Sequence, residues 1–142
     1  MTDRNREVTL KFIEAMGSND AQGAAECLAP DGMAVTKGFS KASGTRKAGT
    51  VVEAIESFKA LMPTGLRLEV LTVTAEDDRV VVEAVGNAVT GEGKPYCNEY
   101  CFVATLEDGR IKQFNEYLCT RLAEDVLWPL VEKMGALKAD AV

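Results

Sequence analysis

Two glutamates, Glu99 and Glu116, stand on the two arms of one apolar stretch, PYCNEYCFVATLEDGRIKQFNEYLCT, residues 95–120. At its centre Glu107-Asp108-Gly109-Arg110 reads as a tight hairpin turn, since Gly takes positive φ at little cost. If Glu107 faces Arg110, then Cys101 falls across from Glu116, Glu99 across from Leu118 and Tyr100 across from Tyr117. A Gly bulge at the turn would slip this pairing by one. Alternation gives one face to Cys97, Glu99, Cys101 and Val103, matched by Phe114, Glu116 and Leu118. A carboxylate on an apolar wall resists ionisation, so either glutamate is a candidate general acid or base. The plainer reading is a glutamate satisfied by a nearby Arg, Asn or backbone amide, or one at an open rim.

The chain has no histidine. A Ser-His-Asp triad, a Cys-His pair and a His-based metal site are therefore excluded, and chemistry falls to carboxylates, Tyr, Lys, Cys or backbone dipoles. No metal and no cofactor is expected. The four cysteines form no CxxC pair. Cys97 and Cys101, on one face of one strand, stand roughly 13 Å apart, too far for a disulfide. A neighbouring carboxylate makes Cys101 a poor nucleophile, so the thiols read as free, as core filler and as signs of a reducing compartment.

The elements that must hold these groups follow from periodicity. Val8, Phe12, Ile13 and Met16 share a helical face within residues 3–17, and Asp20 can cap a short helix over Ala21–Leu28. A turn at Pro30-Asp31-Gly32 leads into a strand, Met33–Thr36. Residues 37–49, KGFSKASGTRKAG, read as a basic loop, either solvated or an anion-capturing pocket mouth. Thr50-Val51-Val52-Glu53 fits a capping box, with a helix from Val51 that buries Val51, Ile55, Phe58 and Met62 and ends at Pro63. Extended runs follow at Leu66–Ala75 and Val80–Thr90, then the hairpin. In the first run Leu68 and Val70 share a face with Thr72, opposite Leu71 and Val73. A last apolar stripe (Leu122, Val126, Leu130, Val131, Met134) predicts a C-terminal helix broken near Leu127 by Trp128-Pro129. The order predicts one α+β domain over residues 1–142.

With 142 residues, 46% hydrophobic and 27% charged, the composition is that of a globular chain. A net charge of −6 argues against nucleic acid or an anionic membrane as partner. The charged N-terminus and the absence of a long apolar run predict a cytoplasmic protein.

Several phrases resemble the SnoaL-like and ketosteroid-isomerase-like superfamily, which shares the nuclear transport factor two-like, cystatin-like fold. They are Tyr96, Asn98 and Tyr100, then Asp108-Gly109-Arg110-Ile111, then Glu116-Tyr117 with Thr120. Phe12-Ile13-Glu14, Asn19-Asp20-Ala21 and Asp31 add a looser N-terminal likeness. The resemblance implies a curved antiparallel sheet wrapped around the N-terminal helices, a cone with an extra C-terminal helix. It does not carry over the isomerase chemistry. The tyrosine that would donate to the dienolate oxygen falls at Phe12, the proton-shuttling aspartate near Thr36, and the protonated aspartate at Cys101. The acidic residue that polyketide cyclase-like relatives carry on the last strand is Cys119 here.

The resemblance also implies that the Glu99 and Glu116 face is concave. The predicted pocket is lined by Phe12, Met16, Phe58, Val85, Cys101, Phe114 and Leu118. Glu116 and Glu99 are the catalytic candidates, with Thr36 or Tyr117 as hydrogen-bond donors. Tyr96, Asn98, Tyr100 and Phe102 then fall on the convex face, where aromatics suit a homodimer interface. The expected function is binding of a small apolar metabolite, with acid–base isomerisation, cyclisation or hydration as the chemistry. The alternative is a non-catalytic dimeric interaction module. A binder calls for a pocket of roughly 300 Å³ or more.

Overall fold

The computed structural model describes residues 2–137 and 139–140. Its elements are α1 (Thr2–Gly17), α2 (Ala21–Cys27), β1 (Leu28–Thr36), β2 (Gly44–Lys47), α3 (Ala48–Leu61), β3 (Leu68–Glu76), β4 (Arg79–Gly86), β5 (Ala88–Val89), β6 (Pro95–Tyr96), β7 (Glu99–Glu107), β8 (Arg110–Leu118), α4 (Thr120–Leu122) and α5 (Trp128–Met134), with a π-helical turn, Ala123–Leu127, between the last two. Six strands form one sheet in the order β2-β1-β8-β7-β4-β3, and β5 pairs with β6 alone. The architecture is the expected α+β cone. Every neighbouring pair is antiparallel except β1 and β8, which run parallel and make the sheet mixed.

Bulges interrupt β1 against β8, β3 against β4, and β7 against β8. The last two each add one residue on one strand and the first adds three on β1, and these irregularities bend the sheet, which lets it curl around α1 and α3. Phe12, Ile13, Val51 and Ile55 of those helices meet Val80, Val82, Phe102, Ala104 and Phe114 in a first core. A second cluster joins Leu61, Met62 and Tyr96 to Leu127, Leu130 and Val131 of the C-terminal segment.

Asp108 and Gly109 both have positive φ, 52° and 75°, so the hairpin closes on the two residues its sequence indicates. Glu107 pairs with Arg110 and Leu106 with Ile111, but Thr105 pairs with Gln113. The extra residue, Lys112, shifts everything beyond it by one. Tyr100 faces Leu118, Cys101 faces Tyr117 and Phe102 faces Glu116. The cause lies in Ile111 and Phe114, both fully buried although three residues apart. A regular strand cannot put that spacing on one face, and the bulge does. Consequently Tyr100, Phe102, Ala104 and Leu106 turn inward, while Glu99, Cys101 and Val103 turn to the convex side. The sequence expectation had these two faces exchanged. In β3 the bulge at Leu71 acts likewise: Leu71 is exposed, and Val73 and Ala75 pack on the core together with Leu68.

The basic stretch 37–49 is not wholly loop. It contains β2, and α3 begins at Ala48 rather than Val51. The Thr50-to-Glu53 capping box does not form, since α3 has no cap from its own flanking side chain. Asp140 takes that role from the far end of the chain. Its carboxylate accepts the Lys47 amide at 2.5 Å and the Thr50 hydroxyl at 2.6 Å. A negative charge there also complements the helix dipole. Those bonds hold the Asp140 carboxyl below its usual range. Asp140→Ala should therefore lower the melting temperature at neutral pH by a few degrees. The difference should shrink as pH falls through the Asp140 titration, because a depressed acid stabilises only while ionised. Thermal melts of both proteins across acid pH check this.

The C-terminal helix continues through Trp128-Pro129 instead of breaking. The Trp128 amide reaches back to the Ala123 carbonyl, a wider turn that fits the chain around the proline ring. No helix among the described residues is long and apolar enough to cross a membrane.

Candidate functional site

Between the two core clusters lies a cavity of about 110 Å³. That falls short of the roughly 300 Å³ expected of a binder, and it is of the order of an engineered ~150 Å³ cavity that holds benzene, so only a molecule of about that size fits. Phe12 and Met16 of α1 and Val51, Ile55 and Phe58 of α3 form one side. Phe114, Glu116 and Leu118 of β8, with Tyr96 and Tyr100, form the other. Leu127, Trp128 and Leu137 cover it from the C-terminal segment.

Alternation on three adjacent strands sets the polar groups. Thr36 and Glu116 are in register across the parallel β1–β8 pair, and Arg46 of β2 lies opposite Ala34, two residues before Thr36. The Thr36 hydroxyl donates to Glu116 Oε2 at 3.3 Å, and Arg46 Nη1 donates to Thr36 Oγ1 at 3.4 Å. Arg46 Nη2 donates to the Leu137 carbonyl at 2.5 Å. The six ion pairs among the described residues include neither Arg46 nor Glu116. Thr36 thus stands between a guanidinium and a carboxylate that do not touch.

Burial pushes the Glu116 carboxyl above its usual range, with Arg46 and the Thr36 hydrogen bond pulling the other way. Glu116 is half-buried and borders the cavity; the desolvation is that of a group walled by apolar side chains. Burial lowers the Arg46 pKa, opposed by the charges of Glu116 and Asp140. Burial likewise pushes Tyr96 up to about 12 and Tyr100 well above 10, so both phenols remain protonated donors.

A raised acid binds its proton more tightly folded than unfolded. Its contribution is fully present below the ordinary glutamate value near 4.5 and is lost as pH rises through the raised one. Glu116→Gln should therefore gain stability relative to the natural chain as pH climbs from that value. Paired melts from acid to neutral pH check it, and a flat difference would mean Glu116 ionises as freely as in water.

Of the residues selected from sequence, Phe12, Met16, Thr36, Phe58, Phe114, Glu116 and Leu118 line one cavity. Four others do not. Glu99 is exposed on the convex side, Tyr117 is 45% exposed there, and Val85 and Cys101 are half-buried on that face. The one-residue bulge accounts for Glu99 and Cys101 directly. Val85 pairs with Glu99 and follows it outward. Burial and Glu83 raise the Cys101 pKa, which leaves that thiol less nucleophilic still. All four thiols are free.

Sequence reasoning missed Arg46, only 8% exposed, and the two inward phenols Tyr96 and Tyr100. The even positions of β7 are Tyr100, Phe102, Ala104 and Leu106, a more apolar set than the odd ones, and that count could have placed the phenols. Asn98, 1% exposed, ties this side together. Its amide donates to the Tyr96 hydroxyl and the Cys119 carbonyl, and its oxygen accepts the Glu99 and Cys119 amides. No cluster of three or more potential metal-ligating side chains occurs among the described residues.

No curated protein matches the chain. Among solved structures, PrhC from Penicillium brasilianum superposes with a TM-score of 0.79 at 16% identity, over 95% of this chain and 93% of that one. A putative isomerase from Bacillus subtilis gives 0.76 at 18%, over 89% and 94%. An LEH-like epoxide hydrolase from M. tuberculosis gives 0.73 at 18%, over 94% and 97%. At these identities the likeness is one of fold. The SnoaL-like domain profile matches residues 9–114, from the middle of α1 to the cavity wall at Phe114, and on that match the chain belongs to the SnoaL-like family.

Proposed function

We propose that this protein binds a small, largely apolar molecule in the cavity and acts on it by acid–base chemistry, with Glu116 moving the proton. The observation that carries the reading is Glu116 itself: a carboxyl on an aromatic wall, hydrogen-bonded by Thr36 and pushed toward its neutral form. A group poised in this way takes or gives a proton near neutral pH more readily than an exposed glutamate. Isomerisation, cyclisation and hydration all fit such a group, and the solved relatives include a putative isomerase and an epoxide hydrolase. Tyr96 and Tyr100, protonated throughout the physiological range, are the available donors to an oxygen on the substrate.

The same proposal places the protein in the cytoplasm, where exposed thiols such as Cys97 and Cys119 stay reduced. It also keeps the homodimer, on a changed surface. The aromatic residues once assigned to that face are inside, and its apolar area comes from half-buried Val35, Val81, Val85 and Val103 with exposed Tyr117. Native mass spectrometry of the purified protein tests both points. A dimer carrying a small non-protein mass is the expected spectrum, and Glu116→Gln should keep the dimer while losing turnover of the ligand so identified. A monomer would remove the convex-face contact. Failure of any small apolar compound to bind, in that spectrum or in a fragment titration, would remove the binding function.

A further inference from the structure

Arg46 is a buried cation whose charge nothing among the described residues directly neutralises. It is 8% exposed, lines the cavity, and makes no ion pair with any described residue. Of its N–H donors, one on Nη1 and one on Nη2 find acceptors, the Thr36 hydroxyl and the Leu137 carbonyl, both neutral. Nε is sealed from solvent and finds no acceptor among the described residues. A buried guanidinium in this condition is costly unless an anion completes it. Glu116 is in the same cavity yet stops short, with Thr36 interposed, and it leans toward the neutral form that cannot neutralise Arg46.

We infer that Arg46 is the headgroup anchor for a small apolar carboxylate, held with its acid group on the guanidinium and its tail between Phe12, Phe58 and Phe114. The inference rests on the proposed small-molecule site and names the ligand class that site takes. A planar guanidinium fork matches a carboxylate in two parallel hydrogen bonds, which a point charge does not. The cavity admits a body of roughly four to six heavy atoms, judged against the engineered cavity that takes benzene. The site does not suit an amine, because a cation would sit beside Arg46. It does not suit a plain alcohol as well, because an alcohol leaves the charge unmatched.

Among the described residues, the ionisable groups facing this space are few. Arg46 comes from β2, Glu116 from β8, and the phenols Tyr96 and Tyr100 from β6 and the start of β7. α1 and α3 add only uncharged side chains to the wall, and Asp140 acts on Arg46 from outside it. Of these, Glu116 alone changes charge between acid and neutral pH, since both phenols hold their protons there. An anionic ligand therefore binds better when Glu116 is protonated.

The test is an NMR titration of the full chain with butanoate, butan-1-ol and butylamine at matched ionic strength. Butanoate should bind in the millimolar range and at least about tenfold more tightly than either analogue, the factor expected of one charge-assisted hydrogen bond. Arg46→Gln should remove that preference. Arg46→Lys, which keeps the charge and loses the fork, should keep only part of it, and it serves as the second variant if Arg46→Gln does not fold. Glu116→Gln should tighten butanoate binding at neutral pH and leave only the pH dependence that comes from butanoate's own protonation. Equal binding of butanoate and butan-1-ol would overturn the inference and leave the apolar site standing. A preference for butylamine would overturn it in favour of Glu116 as anchor. If none of the three binds, the inference and the proposed function fall together.

Discussion

Phe102→Ala should cost about 3–5 kcal/mol of stability and lower the melting temperature by roughly 10 °C. Phe102 is fully buried and stands at the centre of an aromatic row. Its ring lies 5.3 Å from Tyr100 and 5.1 Å from Phe114, which in turn meets Phe12 of α1 at 4.7 Å. The row joins the inner face of the sheet to the first helix. Phe102 itself does not line the cavity, so truncation opens a new void rather than widening the existing one. Close-packed neighbours relax only partly into such a void, which is why the loss exceeds simple transfer of the ring to water. Phe102→Leu fills much of the space and should cost about 1–2 kcal/mol. Urea unfolding of the three proteins measures the series. An alanine variant within about 1 kcal/mol of the natural chain would mean the row contributes little beyond filling space.

Asn98→Leu should destabilise by about 3 kcal/mol through a different cause, unpaired polar groups. The amide makes four hydrogen bonds between 2.8 and 3.1 Å, to Tyr96, to Glu99, and twice to Cys119. Leucine has a similar size and answers none of them. The Tyr96 hydroxyl would then be left in a site almost closed to water, whereas the partners at exposed Cys119 can recruit solvent, so the total stays below the sum of four bonds. Cys119 begins the turn into the C-terminal helical segment, which carries Trp128, the chain's one tryptophan. Asn98→Leu should therefore shift Trp128 emission in the native state, which Phe102→Ala should not do. Unchanged emission would show that the segment is held without Asn98. Asn98→Asp keeps the acceptor and loses the donor, and should fall between the two.

The apolar spacing of α1 and the sharp signal at Asp108-Gly109 made the frame legible from residue order alone. What went wrong was a parity. Ile111 and Phe114, both apolar and three apart, announce that β8 cannot be regular, and Tyr100, Phe102, Ala104 and Leu106 announce which side of β7 is inside. Reading the pairing straight back from the turn ignored both, and it moved Glu99 and Cys101 into a pocket they do not touch. Thr36 and Glu116 survived because parallel pairing of β1 with β8 sets them side by side whatever the register of β7. Arg46 was beyond reach in another way. A four-residue strand in a Gly/Ser-rich run has too few positions to show alternation, so nothing local distinguishes its buried arginine from the exposed lysines around it. The cap on α3 was equally hidden, since Asp140 lies ninety-three residues from Lys47.

The family profile ends at Phe114, yet Glu116, Leu118, Leu127, Trp128 and Leu137 all contribute to the cavity. The stretch that carries the family likeness and the stretch that closes the cavity are therefore not the same. Substitutions at Leu127, Trp128 or Leu137 reach the cavity from outside the matched stretch, whereas Asp140 in the same tail also caps α3. What the cavity admits is set in part by residues that lie beyond the family likeness.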